Sequence, residues 1–276
     1  MKRQFSKMHG LGNDFMVIDM TKEPMILKED RIRQLAHRHT GVGFDQLLTI
    51  ESPRREDTDF YYRIFNADGT EVEQCGNGAR CFAHYVRDHG LSDKQHLRVE
   101  TKAGVIELHH KQVGLVSVNM GTPRFAPDKI PLTMPEEQLL YRTDVDGQRV
   151  EFAAVSMGNP HCILFVDDVA KAPVNQLGPV LERHPLFPEY TNVEFVQVLK
   201  PHEIALRVHE RGTGETLACG SGACAAVVAG IRLGKLKADT MVHLPEGNLQ
   251  ISWQGNEHPV WMTGPATHVF QGEIDL

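Results

Sequence analysis

The residues best suited to chemistry are two cysteines set in variants of one motif. Cys75-Gly76-Asn77-Gly78-Ala79 and Cys219-Gly220-Ser221-Gly222-Ala223 lie with their cysteines 144 positions apart. In each, the glycines permit tight turns and close approach of a ligand, and the residues that follow read as a helix. Backbone N–H groups in the first turn of a helix attract anions, and a thiol there is expected to ionise below its ordinary value of roughly 8.5. Each motif is thus an expected carboxylate or phosphate site with a partly ionised thiol beside it. Two such sites facing one molecule allow a two-base epimerisation. One thiolate removes a proton from the carbon next to a carboxylate, and the opposite thiol returns one on the other face. A lone Cys-Gly would be core filler; its recurrence at equivalent positions favours chemistry. Cys81, Cys162 and Cys224, inside helices or at the start of an apolar strand, read as structural.

The elements that position these cysteines repeat as well. Arg63-Ile64-Phe65-Asn66, with Gly69 and Glu71, lies over Arg207-Val208-His209-Glu210, with Gly212 and Glu215. Gly12-Asn13 lies over Gly158-Asn159 at an offset of 146, and Gly104 and Met120-Gly121 lie near Gly247 and Met262-Thr263-Gly264. The persistence of one offset through motif, helix and hairpin indicates two copies of one fold. The expected division is an N-terminal lobe of residues 1–120 and a C-terminal lobe of residues 121–264, with 265–276 a candidate to return to the first lobe. A ligand site is expected in the cleft between like lobes.

Strands are predicted at Phe15–Asp19, Gln46–Ile50, Tyr61–Phe65, His96–Glu100, Leu115–Asn119, Cys162–Val166, Val193–Val198, Ile204–Val208, Met241–Leu244 and Leu249–Trp253. Helices are predicted at Lys28–His39, Ala79–His89, Gln176–His184 and Ala223–Leu233. The class is α+β. Glu71 and Glu215 read as organisers of their loops.

The 276 residues are 41% hydrophobic and 24% charged, with a net charge of −7 and scattered basic residues. That balance gives no footprint for nucleic acid or an anionic membrane surface. The N-terminus does not read as a secretory signal, and no apolar run reaches transmembrane length. Five cysteines do not suggest a disulfide framework, so a cytoplasmic protein with a small-molecule substrate is expected.

The motifs His9-Gly10-Leu11-Gly12-Asn13-Asp14-Phe15, Asn66-Ala67-Asp68-Gly69, Cys75-Gly76-Asn77-Gly78-Ala79-Arg80-Cys81, Met157-Gly158-Asn159-Pro160-His161, Glu210-Arg211-Gly212 and Cys219-Gly220-Ser221-Gly222-Ala223 together resemble the diaminopimelate epimerase family, in order and from about residue 5 to the C-terminus. The resemblance implies two pseudo-symmetric lobes, each a mixed sheet or barrel around a central helix, with no cofactor and no metal. It implies interconversion of LL- and meso-2,6-diaminopimelate on the route to lysine and peptidoglycan precursor. It makes Cys75 and Cys219 the acid/base pair, with Gly76, Asn77, Gly220 and Ser221 binding the carboxylate at the reacting centre. It places Asn13, Gln46, Asn66, Asn159, Asn192, Glu210 and Arg211 around the substrate, and gives His161 and Glu210 influence over the cysteine pKa values. Members of the family carry a tyrosine at the place of Phe270, associated with dimer contacts, so a homodimer is expected.

Diaminopimelate has an amino acid group at each end. The lobes differ where the distal end would be read: Asn66 is matched by Glu210, and Arg211 has only Ala67 opposite. Arg211 is therefore expected to pair with the distal carboxylate. An alternative keeps the fold and changes the substrate to a cyclic amino acid, as in proline racemase or hydroxyproline epimerase; phenazine-pathway isomerases share the architecture but are expected to lack the thiol pair. A zinc or redox binding protein is disfavoured by the wide Cys-x₅-Cys and Cys-x₄-Cys spacings. A dinucleotide site at Gly10-Leu11-Gly12 lacks its third glycine.

Overall fold

The computed structural model describes residues 2–73, 75–111, 114–145 and 147–276. It divides into two compact units, Met1–Asn119 with Thr263–Leu276, and Met120–Met262. Among the described residues no helix is long and apolar enough to cross a membrane.

In the first unit, β1 (Lys2–Gly10) runs antiparallel to β2 (Asn13–Asp19), and β2 runs parallel to β3 (Gln46–Glu51) with Phe15 beside Gln46. Helix α1 (Glu29–Ala36) links these two, burying Ile32, Leu35 and Ala36. β4 (Phe60–Asn66) returns antiparallel to β3, forms a short hairpin with β5 (Glu71–Val72), and delivers the chain to α2 (Gly76–Asp88). β6 (His96–Thr101), β7 (Gly104–His110) and β8 (Leu115–Asn119) follow as an antiparallel meander. Helix α2 packs against β1, β2, β3, β7 and β8, and its residues from Asn77 to Ala83 are all buried. A helix buried nearly all round must be central rather than a surface helix with one apolar stripe.

The second unit repeats this plan. β9 (Tyr141–Val145) pairs with β10 (Gln148–Ser156), β10 with β11 (Pro160–Phe165), and β11 runs parallel to β12 (Asn192–Lys200) with His161 beside Asn192. Helix α3 (Val174–Glu182) occupies the place of α1. β13 (Glu203–Glu210) and β14 (Gly214–Thr216) form the hairpin before α4 (Gly220–Arg232), followed by β15 (Asp239–Leu244) and β16 (Gly247–Ser252). Helix α4 packs against β10, β11, β12 and β16 and is buried from Gly222 to Gly230. β17 (Trp261–Pro265) carries the chain back, and β18 (Thr267–Asp275) pairs along the whole of β1, from Lys2 with Asp275 to His9 with Thr267.

The two helices that matter most begin earlier than their hydrophobic pattern indicates. α2 starts at Gly76 and α4 at Gly220, where glycine lowers helix propensity but the surrounding sheet holds the turn. α1 is shorter than predicted, because His37 leaves helical geometry for an extended one. α3 starts two residues before its predicted first residue, directly after Pro173. Sequence pattern missed β1, β5, β7, β9, β10, β14, β17 and β18. β1 mixes Lys, Ser and Gly with its apolar residues, and Lys7 is buried only because Asp14 and the Gly43 carbonyl take its ammonium. β18 exposes Val269 and Phe270, so its alternation is lost.

The parallel pairs make the repeat quantitative. Val17 lies beside Leu48 in the first unit, and Ile163 beside Glu194 in the second. The offset of 146 seen at the asparagines therefore carries Phe15 onto His161 and Leu48 onto Glu194. An added Cβ at Gly78 would approach Leu48 Cδ2 at 3.3 Å, and one at Gly222 would approach Glu194 Oε1 at 2.8 Å. Matched positions under the two helix starts are apolar in one unit and ionisable in the other.

Candidate active site

Each cysteine is the residue that precedes its helix. Cys75 has φ −142° and ψ 121°, Cys219 has φ −106° and ψ 106°, and neither helix end has a side-chain cap. The first intrahelical bonds are Ala79 N–H to the Cys75 carbonyl and Ala223 N–H to the Cys219 carbonyl. The N–H groups of Gly76, Asn77, Gly220 and Ser221 thus lie ahead of the ladder, where an anion is favoured. The preceding hairpins are latched alike. Arg63 forks onto Glu71 at 2.9 and 2.8 Å, and Arg207 onto Glu215 at 2.6 and 3.0 Å. Glu71 and Glu215 are loop organisers, as the sequence indicates, because bidentate pairs of this kind fix geometry.

In the first unit, Asn13 Oδ1 accepts from Cys75 Sγ at 3.7 Å and from Asn77 Nδ2 at 3.3 Å, while its Nδ2 donates to Asp45 at 3.1 Å. Gln46 Nε2 donates to Asn66 Oδ1 at 3.0 Å. Behind them, Asp14 receives Lys7 at 2.5 Å and Arg38 at 2.8 and 2.9 Å. Burial raises the Asp14 carboxyl, but the hydrogen bonds of Arg38 and Lys7 and the Lys7 charge outweigh it and hold it well below the carboxylate range.

In the second unit, Cys219 Sγ is 3.6 Å from Ser221 Oγ, which is 3.4 Å from Asn159 Nδ2. Asn159 Oδ1 is 3.0 Å from His161 Nε2, and His161 Nδ1 is 2.6 Å from Glu194 Oε1. His161 and Glu194 are fully buried. Glu210 accepts the Thr216 hydroxyl. Burial pushes the Glu210 carboxyl up, against the donors Thr216 and Cys219; burial likewise pushes Glu194 up, against the pull of His161. Asn192 spans the Pro160 carbonyl and the Arg211 N–H, both at 3.0 Å. The exposed Arg211 guanidinium donates to the Glu189 carbonyl at 2.9 Å, and among the described residues it forms no ion pair.

The helix start was expected to lower the thiol, yet Cys219 is held well above its ordinary value. Burial is the main cause, followed by the charges of Glu210 and Glu194, and these outweigh the Ser221 hydroxyl and the Gly222 N–H. Cys219 rests as a thiol. Cys81 is pushed up to about 12 and Cys162 well above its usual range, chiefly by burial, which fits structural thiols.

Sequence reading passed over two neighbours of these groups. Glu194 is a single carboxylate inside the apolar run Asn192-Val193-Glu194-Phe195-Val196, and its match with Leu48 was available as a signal. Asp45 carried no such signal, being an exposed acidic residue next to Gln46. Phe270 lies on β18, half exposed, with its ring edge-on to Phe5 at 6.1 Å.

The architecture is shared with several solved structures. A phenazine biosynthesis protein of the PhzF family from Bacillus anthracis superposes with a TM-score of 0.72 at 18% identity, over 100% of both chains. A hydroxyproline epimerase from Agrobacterium vitis superposes with a TM-score of 0.72 at 14% identity, over 99% of this chain and 92% of the other. These define the fold class. The diaminopimelate epimerase family model matches residues 5–126 and 153–269. The diaminopimelate epimerase of Pseudomonas paraeruginosa is 56% identical over 273 residues, 99% of each chain, and that of Pseudomonas fluorescens is 55% identical over the same length. The chain belongs to the diaminopimelate epimerase family.

Proposed function

We propose that this isomerase interconverts LL- and meso-2,6-diaminopimelate for lysine and peptidoglycan precursor synthesis, without a cofactor, using Cys75 and Cys219 as its acid/base pair. The observation that carries this reading is the placement of one cysteine directly before each of two equivalent helices, in a chain 56% identical over nearly its whole length to a diaminopimelate epimerase. N–H groups of Gly76, Asn77, Gly220 and Ser221 hold the carboxylate at the reacting carbon. Starting from the Cys219 thiol, Cys75 as thiolate takes the α-proton and the C–H electron pair passes to the carbanion. That pair then takes the Cys219 proton on the opposite face, leaving Cys219 as thiolate and Cys75 as thiol. The reverse reaction begins from that state. Glu210, beside Cys219, accommodates its change of charge, and His161 supports the same side.

Arg211, whose backbone is clamped by Asn192, reads the distal carboxylate, and Asn13, Gln46, Asn66 and Asn159 are neutral partners of the substrate's polar groups. A proline- or hydroxyproline-type substrate draws support from the fold alone and has no second carboxylate for Arg211. The protein is proposed to act in the cytoplasm as a homodimer with Phe270 at its contact, and without nucleic acid or membrane partners. Chiral chromatography of reduced enzyme with LL-diaminopimelate, L-proline and trans-4-hydroxy-L-proline separates the readings. Meso-diaminopimelate as the only new isomer is expected; turnover of a cyclic substrate with none of LL-diaminopimelate would overturn the proposal.

A further inference from the structure

The matched asparagines are held in opposite senses. In the first unit Asp45, which can only accept, takes Asn13 Nδ2 at 3.1 Å, and this turns the Asn13 amide oxygen toward Cys75. In the second unit His161 Nε2 lies 3.0 Å from Asn159 Oδ1. An amide oxygen cannot donate, so Nε2 carries the proton, and Asn159 Nδ2 is left to donate to Ser221 Oγ. Asn159 thereby fills one of the two lone pairs of Ser221 Oγ, and Ser221 Oγ lies 3.6 Å from Cys219 Sγ, where the hydroxyl proton is free to point at the sulfur. Glu194 anchors the far end, 2.6 Å from His161 Nδ1, with no measurable exposure of either side chain.

We propose that Glu194 is a positioning residue. Through His161 it fixes the Asn159 amide, and through Asn159 and Ser221 it keeps a hydrogen-bond donor on the Cys219 sulfur, whereas Asp45 keeps an acceptor on Cys75. The proposal rests on the two-thiol reading of the site and adds what makes its halves unequal. The position matched to His161 is Phe15 and that matched to Glu194 is Leu48, neither of which can hold an amide, and there an external carboxylate performs the orientation instead. Apolar residues of like volume often fill such a space as stably as a buried charged pair, so the role assigned to this pair is orientation rather than stability. Outer partners of this kind set histidine tautomers in general.

The test uses the thiol itself and needs no turnover, so its failure leaves the epimerase reading standing and failure of that reading leaves the test available. In a Cys75→Ala background, the pH dependence of alkylation at Cys219 by iodoacetamide, located by mass spectrometry, gives an ionisation midpoint. The charges facing the sulfur, Glu210 and Glu194, contribute to that midpoint in every variant that keeps them. The informative quantity is therefore the shift caused by Ser221→Ala, measured with the native Glu194–His161 pair and again in His161→Phe/Glu194→Leu, which copies Phe15 and Leu48. With the native pair, loss of the hydroxyl is expected to raise the midpoint by on the order of half a pH unit or more, and in the double variant to leave it unchanged. Equal shifts in both settings, or none with the native pair, would overturn the proposal. Nitrogen-15 histidine NMR of the otherwise native chain gives a second reading that needs no double variant, with the His161 signal assigned by its loss in His161→Gln. Nε2 of His161 should carry a proton throughout pH 6 to 9 (a range set by roughly where imidazole and thiol titrate); an unprotonated Nε2 anywhere in that range contradicts the chain of donors.

Discussion

The two units build the same backbone around their cysteines and surround the sulfurs with opposite chemistry. Leu48 lies beneath the start of α2, Phe15 stands on the adjacent strand β2, and Cys75 meets the amide oxygen of Asn13. Beneath the start of α4 lie His161 and Glu194, and Cys219 sits near Glu194, Glu210 and the Ser221 hydroxyl. Duplication supplies each unit with a cysteine directly before a helix start. Divergence supplies two thiols that are not interchangeable, one of which rests protonated.

The largest effect that sharpens this comparison is on stability. Glu194→Ala removes the partner of a buried histidine and is expected to cost about 3 kcal/mol or more, whereas His161→Phe/Glu194→Leu is expected to stay within about 1 kcal/mol of the native chain. Urea denaturation of the two variants checks the contrast; equal losses would mean that the second unit cannot accept the packing of the first. Glu210→Gln removes one of the two carboxylates that act on Cys219 and makes that position an amide, as at Asn66. Its kcat with LL-diaminopimelate is expected to fall on the order of 100-fold with little change in KM, as read from initial rates. Arg211→Ala should do the reverse, raising KM on the order of 10-fold or more for loss of a charge-assisted bond. Arg211→Lys with native KM would argue that the guanidinium fork is not used.

The smallest expected effect is a difference in pH response. Asp14 is depressed in the folded state, so its contribution is present above its ordinary value of 3.8 and is lost as pH falls below it. Glu194 and Glu210 are raised, so their contribution is full below 4.5 and declines as pH rises above it. Hydrogen exchange should therefore show β2 and β3 losing protection on acidification toward pH 3 (roughly the carboxylate range). Asp14→Asn should remove that acid-side loss.

Much of this was legible in the residues. The repeated Cys-Gly-x-Gly-Ala and the shared offset revealed the duplicated α+β fold, because motif residues that must form the same turn resist change. The strands with clear apolar runs, such as Leu115–Asn119, follow their pattern. β1 and β18 were hidden because their stability comes from pairing with each other rather than from alternation. The site was hidden where its chemistry depends on who faces whom. Nothing in the sequence says that Asn13 and Asn159 turn opposite ends toward their cysteines, since that follows from Asp45 in one case and His161 in the other. The thiol state of Cys219 was hidden for a similar reason: a helix start is visible in sequence, but burial beside two carboxylates is not.

The proposed reaction has two thiols acting on one stereocentre. Proton NMR of LL-diaminopimelate with reduced enzyme in deuterated water, for the native chain, Cys75→Ala and Cys219→Ala, tests this most directly. Loss of the α-proton signal with appearance of the meso isomer in the native chain, and neither in the two variants, is the predicted result. Full epimerisation by either single-cysteine variant would contradict it.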